Sequence, residues 1–471
     1  MSTRPQLTFA SGVGSVTGAN FLLETPAGSK ILVDCGLIQG ERVAMQENRK
    51  PFGYDASTID VLIVTHAHLD HVGRIPKLVK EGFSGVIYST PETRELAELV
   101  LSDAVGILTA EAAQQGLEPL YTREDLGGVF PLWKTIPYHQ TFEPAKGVSV
   151  LLKDAGHILG SAMVEITGKG WKVEGLKGKQ NDIKILFTGD LGNSPAPLLR
   201  DAEAIGEVDY MVMESVYGDR NHEDRESRLA KFEQVIKQTI DRGGTLVIPA
   251  FSIDRTQVFL YELNNLIEQK RIPSVPVFVD SPLAIKATMV YKSSKHLFND
   301  AIQKQIDDGD DIFSFPHLEY TESQDESQQI ERMKGAKIIL AGSGMSVGGR
   351  VIRHEEHYLP DPRNTILLVG YQTTGSLGRN LADAGASGGS KVVTIHGRKI
   401  EVKANIETLL GYSAHKDSDH LVEFVTTATN KLKKIFVVMG EPKSSMFLTQ
   451  RLNDELPVKA VVPERMVKYE L

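Results

Sequence analysis

The stretch Val61-Leu62-Ile63-Val64-Thr65-His66-Ala67-His68-Leu69-Asp70-His71-Val72-Gly73 limits what this chain can fold into more than any other. Its first half is apolar and β-branched, the composition of a buried strand. Three histidines and a carboxylate follow within six positions. Alternate residues of an extended chain point the same way, so His66 and His68 project together from the strand end. Asp70 and His71 fall where the chain turns, and Gly73 followed by Ile75-Pro76-Lys77-Leu78-Val79-Lys80 predicts a helix just beyond. Imidazole nitrogens and carboxylate oxygens are a donor set that zinc accepts. Ligand-type side chains clustered behind an apolar strand are poorly explained as a solvated surface.

The chain is 471 residues long, more than one hydrophobic core usually spans, so at least two domains are expected. A net charge of −9 argues against a surface that coats nucleic acid electrostatically, but leaves room for a local basic groove. A single cysteine, Cys35, excludes an internal disulfide and fits a reducing compartment. No apolar run is long enough to cross a bilayer, and Met1-Ser2-Thr3-Arg4-Pro5-Gln6 lacks a signal-peptide core. A cytoplasmic protein with no membrane association is the expectation.

Two further strand ends carry ligand types. A strand over 148–153 runs into Asp154-Ala155-Gly156-His157, and one over 183–188 into Gly189-Asp190-Leu191-Gly192. Alone, each is ordinary. Repeating the strand-then-glycine plan of the central stretch, they offer a third imidazole for one metal and a carboxylate able to bridge two. Asp34, after the strand Lys30-Ile31-Leu32-Val33, is placed to orient a ligand histidine as a hydrogen-bond acceptor.

Downstream, strands and helices alternate from about residue 219, which reads as a separate α/β unit. Its strand ends are rich in glycine and serine: Gly342-Ser343-Gly344, Gly348-Gly349-Arg350 and Gly375-Ser376-Leu377-Gly378-Arg379. Backbone N–H groups and hydroxyls in such loops can face phosphates, with Arg255 and Arg350 beside them. Ser343, Gly344, Arg350, Ser376 and Arg255 are therefore expected phosphate contacts.

The set His66-Ala67-His68-Leu69-Asp70-His71, His157 and Asp190 resembles the metallo-β-lactamase superfamily in its two-zinc hydrolase form. Glu214 in Glu214-Ser215-Val216-Tyr217-Gly218 and His415 in Ser413-Ala414-His415 resemble motifs A and B of its β-CASP branch, whose members cut nucleic acids. The glycine-rich loops and the closing segment are similar to bacterial and archaeal relatives of the mRNA 3′-end processing endonuclease. The resemblance implies an α/β fold: a four-layered αββα sandwich over 1–218, an inserted β-CASP domain over 219–390, and a return to the first domain, with an RNA-specificity segment, over 391–471. It implies that His66, His68 and His157 hold one Zn²⁺, that Asp70 and His71 hold a second, and that Asp190 bridges them. The implied activity is hydrolysis of phosphodiester bonds in single-stranded RNA, endonucleolytic, with 5′-to-3′ exonuclease action and a homodimer as further expectations.

One position departs from the branch. Where RNA-processing members place a motif C histidine before Gly-Glu, this chain has Met439 before Gly440-Glu441. A thioether is a soft, weak donor for Zn²⁺. Three outcomes stay open: a weaker second zinc, a DNA nuclease of the same branch, or a metal-depleted RNA-binding subunit. In the expected mechanism, Asp70 accepts a hydrogen bond from the attacking water. His415, held by Glu214, protonates the leaving oxygen.

Overall fold

The computed structural model describes residues 4–40, 44–171, 181–223, 225–370, 372–373, 375–386, 391–428 and 432–471. The chain divides into two units, one of Met1–Asn221 with His415–Leu471, the other of His222–Ala414.

The first unit is two seven-stranded sheets. One has the order Lys468–Glu470, Gln6–Ser11, Asn20–Glu24, Lys30–Val33, Val61–Ile63, Val86–Ser89, Trp133–Thr135. The other runs Lys459–Val461, Lys434–Val438, Tyr210–Glu214, Asn181–Phe187, Ala162–Trp171, Val148–Asp154, Phe142–Ala145. Period-two patterning explains why they stack. Leu7 and Phe9 of the first sheet and Val148, Val150 and Leu152 of the second share one fully buried cluster. The opposite face of the second sheet, including Met163, Leu186 and Met211, packs on Leu421, Phe424, Leu448 and Leu452 from the helices Ser418–Thr426 and Pro442–Glu455. Pro91–Gln114, which buries Leu96, Val100 and Leu101, lies against the Trp133–Thr135 strand of the first sheet, started by Pro91 and by Thr90 accepting from the Thr93 N–H. The four layers expected from the sequence are thus present.

What positions the site is strand direction. Lys30–Val33, Val61–Ile63 and Val86–Ser89 run parallel, as do Asn181–Phe187, Tyr210–Glu214 and Lys434–Val438. Their carboxyl ends deliver Asp34, His66, Asp190, Glu214 and Met439 in turn. Crevices outside the carboxyl ends of parallel strands are where α/β sheets carry their ligands.

The second unit has a six-stranded sheet with every pairing parallel, in the order Leu318–Tyr320, Val277–Val279, Lys337–Ala341, Thr245–Pro249, Thr365–Val369, Asn405–Leu409. The central strands are buried on both faces and read as continuous apolar runs, as parallel strands do. The expected boundary at 390 lies outside the described residues, but 391–414 belong to this unit. Asn405–Leu409 extends its sheet beside Thr365–Val369, and the hairpin of Lys391–Ile395 and Arg398–Val402 sends Val393, Ile395 and Val402 into its core. A short hairpin and an edge strand carry no signal of their membership, which is decided by the sheet they join. Among the described residues no helix is long and apolar enough to cross a membrane.

Candidate metal centre

The chain leaves the Val61–Ile63 strand at Val64, and a short helix, Leu69–Val72, starts immediately after His68. Asp34 ties this corner down. It sits at φ 60°, a left-handed conformation that Asp tolerates better than most residues. Its carboxylate accepts from the Thr65 N–H and the Thr65 hydroxyl, both at 2.8 Å, and lies 2.7 Å from His71 Nδ1. With Nδ1 engaged, His71 turns Nε2 toward Asp190. Thr65 is the residue sequence reasoning missed. Its position next to His66 was visible, its bond to Asp34 across 31 residues was not.

The other donors arrive from separate loops. The His157 N–H donates to Ser161 Oγ at 3.0 Å, closing the turn that holds its ring. Glu214 accepts from the Leu191 N–H at 2.6 Å, which fixes the loop just after Asp190. His415 pairs as an isolated bridge with Gly192 on the same loop.

His66, His68, His157 and Asp190 each aim a donor atom into one group, with all four atoms within 4.8 Å of one another. His66 Nε2 and His157 Nε2 lie 3.2 and 3.3 Å from His68 Nδ1, and 3.4 and 3.6 Å from Asp190 Oδ2. Four donors held at 2.0–2.1 Å around one ion at tetrahedral angles stand about 3.3 Å apart. Asp190 turns its other oxygen, Oδ1, to His71 Nε2 at 3.3 Å, and Asp70 Oδ2 is 3.8 Å from that same nitrogen. One carboxylate thus faces two donor groups, one oxygen to each. Both His71 Nε2 and Asp190 Oδ1 are buried without a hydrogen-bond partner. Such atoms are costly unless something else satisfies them, and a cation between them would. The residues therefore fit a metal-binding site.

Electrostatics agree. Burial, then the neighbouring His71 charge, pushes His66 well below the usual imidazole range, and burial with His415 does the same to His157, so both are neutral, as ligands must be. Burial would raise Asp190, but the surrounding imidazoles, His71 first, hold it well below the usual carboxylate range. For His415, burial works against the charged ring, but Glu214 and then Asp190 outweigh it and lift the ring to about 9. Its Nδ1 lies 3.2 Å from both Glu214 oxygens and 4.0 Å from Asp190 Oδ2. His415 and Asp70 keep 22% and 17% of their side chains exposed while Asp190 and His66 are closed off, so the first two form the open side of the site.

Met439 ends the Lys434–Val438 strand at φ 48°, 2% exposed, within the core between the sheets. It lines a small pocket with His71, Glu214 and Phe21. A Cβ at Gly12 would lie 2.8 Å from its Sδ, so the sulfur rests against bare backbone.

The expected phosphate contacts all lie in the second unit and are held by internal partners. Arg350 donates to Asp280 Oδ1 at 2.6 Å, to the Thr321 carbonyl at 2.9 Å and to the Glu322 carbonyl. Arg255 is buried beside Asp254. Ser343 Oγ accepts from the Val347 N–H, the Gly344 carbonyl accepts from Gln372, and Ser376 Oγ accepts from the Arg379 N–H. The Arg350 guanidinium thus serves the architecture of its loop, and that of Arg255 is paired with its neighbour Asp254.

Comparison with known proteins falls along the same lines. Residues 15–159 match the metallo-beta-lactamase superfamily model, 256–381 the Beta-Casp domain, and 399–463 the Zn-dependent metallo-hydrolase RNA specificity domain. The chain is 32% identical to Ribonuclease TTHA0252 of Thermus thermophilus, over 93% of each protein. It is 30% identical to Transcription termination factor FttA of Methanosarcina mazei, over 96% of this chain and 70% of that one. A crystal structure of an Enterococcus faecalis V583 protein of unknown function superposes with a TM-score of 0.56, over 99% of this chain and 100% of that one, at 12% identity. That likeness is one of fold.

Proposed function

The chain belongs to the metallo-β-lactamase superfamily, in its β-CASP branch, and from that premise we propose that it is a zinc-dependent ribonuclease acting on single-stranded RNA. The observation that carries the reading is Asp190, a buried carboxylate facing two donor groups with one oxygen each. The relatives named a ribonuclease and a transcription termination factor, matched over most of their lengths, support the substrate class. So does the matched RNA specificity domain.

His66, His68, His157 and Asp190 would hold one zinc, and Asp70, His71 and Asp190 the second. A zinc pair supplies Lewis acidity for a phosphoryl oxygen and acidifies water. The protein does the rest. Asp70, on the open side, accepts a hydrogen bond from the water that attacks phosphorus. His415, on the same open side, is protonated at neutral pH and gives its proton to the departing oxygen as the P–O bond breaks. Glu214 keeps the imidazolium charged and aimed. Hydrolysis leaves one strand end with a phosphate and the other with a hydroxyl.

The test is incubation of zinc-loaded protein with end-labelled single-stranded RNA and DNA. RNA cleavage abolished by chelation and restored by zinc is expected; DNA cleavage with RNA left intact would overturn the reading. His415→Ala should lower turnover by roughly 100- to 10,000-fold with metal content unchanged by mass spectrometry. Unchanged turnover would remove His415 from the mechanism. Met439→His, measured alongside, should raise the retained metal toward two ions per chain.

A further inference from the structure

Phe251 follows the central strand Thr245–Pro249 of the second unit at its carboxyl end and keeps 42% of its surface exposed, although Ala250 before it is fully buried. The ring is not loose. The Phe251 carbonyl accepts from both the N–H and the hydroxyl of Thr256, at 3.2 and 2.9 Å, which pins its backbone to the first turn of the helix Arg255–Glu268. Beneath the ring lies Gly344. A Cβ there would come within 2.7 Å of ring Cδ2 and 2.9 Å of Cε2, so the ring seats on bare backbone. Gly344 does not have a left-handed φ, so closeness to Phe251, ring and backbone nitrogen alike, is what demands glycine. Gln372 fixes the Gly344 backbone by donating to its carbonyl at 3.1 Å.

The surroundings are polar. Ser252 and Ser281 stand with hydroxyls 3.1 Å apart at the ends of two strands, and both approach Gly342 at the end of a third. A rigid, half-exposed aromatic beside hydroxyl-bearing strand ends, in a unit whose nearby arginines are internally bonded, is poorly suited to gripping phosphate by charge. It suits a planar base, since every base has a π-face and stacking needs no sequence.

We propose that Phe251 is a base-stacking platform for single-stranded RNA, seated on Gly344. The proposal takes its substrate class from the ribonuclease reading and adds to it a residue that binds the base. Gly344 thereby acts as the ring's seat rather than as a phosphate donor.

The test uses the full chain, metal-depleted so that nothing is cut, and fluorescence anisotropy with a labelled twelve-nucleotide RNA and versions carrying one abasic residue at successive positions. Phe251→Leu keeps apolar volume and should fold with an unchanged melting temperature, yet weaken binding roughly five- to a hundred-fold. Phe251→Trp should bind as wild type, its added indole fluorescence quenched on RNA addition. One abasic position should weaken the wild type but leave Phe251→Leu unaffected. Equal affinities of wild type and Phe251→Leu, or parallel abasic profiles, would overturn the platform. RNA bound in this pattern but not cut by zinc-loaded protein removes the nuclease reading and keeps the platform; cleavage with a silent Phe251→Leu does the reverse. A wild type that binds no RNA overturns both.

Discussion

Two buried aspartates, one in each unit, stand at carboxyl ends of parallel strands and have opposite fates. Asp280 accepts from Thr321 Oγ1 at 2.8 Å, Arg350 Nη1 at 2.6 Å and Ser327 Oγ, and lies 2.6 Å from His354 Nε2. Burial would raise it, but these bonds, His354 first, hold it well below the usual carboxylate range. Asp190 has four imidazoles within 3.3–4.0 Å, and its Oδ1 has no hydrogen-bond partner. The two differ in satisfaction. A buried charge with every lone pair used is part of the scaffold, whereas one left short among metal-ligand side chains is a place kept for something else.

The contrast is open to attack in three places. Its largest consequence is that Asp190→Asn should abolish metal retention and cut RNA cleavage on the order of ten-thousandfold or more, because charge stabilisation and water activation fail together. A stable, metal-loaded variant with near-normal turnover would break the comparison from this side. Asp280→Ala should do the reverse. It leaves the mostly buried Arg350 guanidinium without its counter-charge and buried His354 Nε2 without its partner, which costs roughly 3–5 kcal/mol of stability. Metal content should stay at the wild-type value, and a fall in metal without a fall in urea midpoint would contradict the scaffold role.

The smallest effect is one of pH. Glu355, buried beside Ser346, is pushed up by burial to about 8 from an ordinary value of 4.5. Between those values the folded chain keeps a proton that the unfolded chain releases, so stability must fall as pH rises, by up to about 1.4 kcal/mol per pH unit. Glu355→Gln should flatten that decline between pH 5 and 8 in urea titrations, and an unchanged slope would mean the carboxyl is ionised in the folded protein.

Much of the metal centre could be read before folding because four donors sit on six consecutive positions, where strand and turn geometry alone brings them together. The strand-then-glycine pattern extended this to His157 and Asp190. The phosphate contacts were harder. Arg255 and Arg350 have the right chemistry for an anion, but whether a guanidinium is available depends on carboxylates and carbonyls elsewhere in the chain. For Arg350 these come from Asp280, Thr321 and Glu322. Helix extents followed a similar rule. The helix Pro91–Gln114 begins where Pro91 and the Thr90 cap place its first turn.

The sequence by itself determined which atoms could bind metal and which strands carry them, since both follow from residue type and short-range periodicity. The tertiary structure alone decided four things: that Asp190 divides its oxygens between two donor groups, that Asp34 orients His71, that Met439 points its sulfur at Gly12, and that Phe251 stays uncovered. The reason is that each depends on distances between residues far apart in the chain, and only packing sets those.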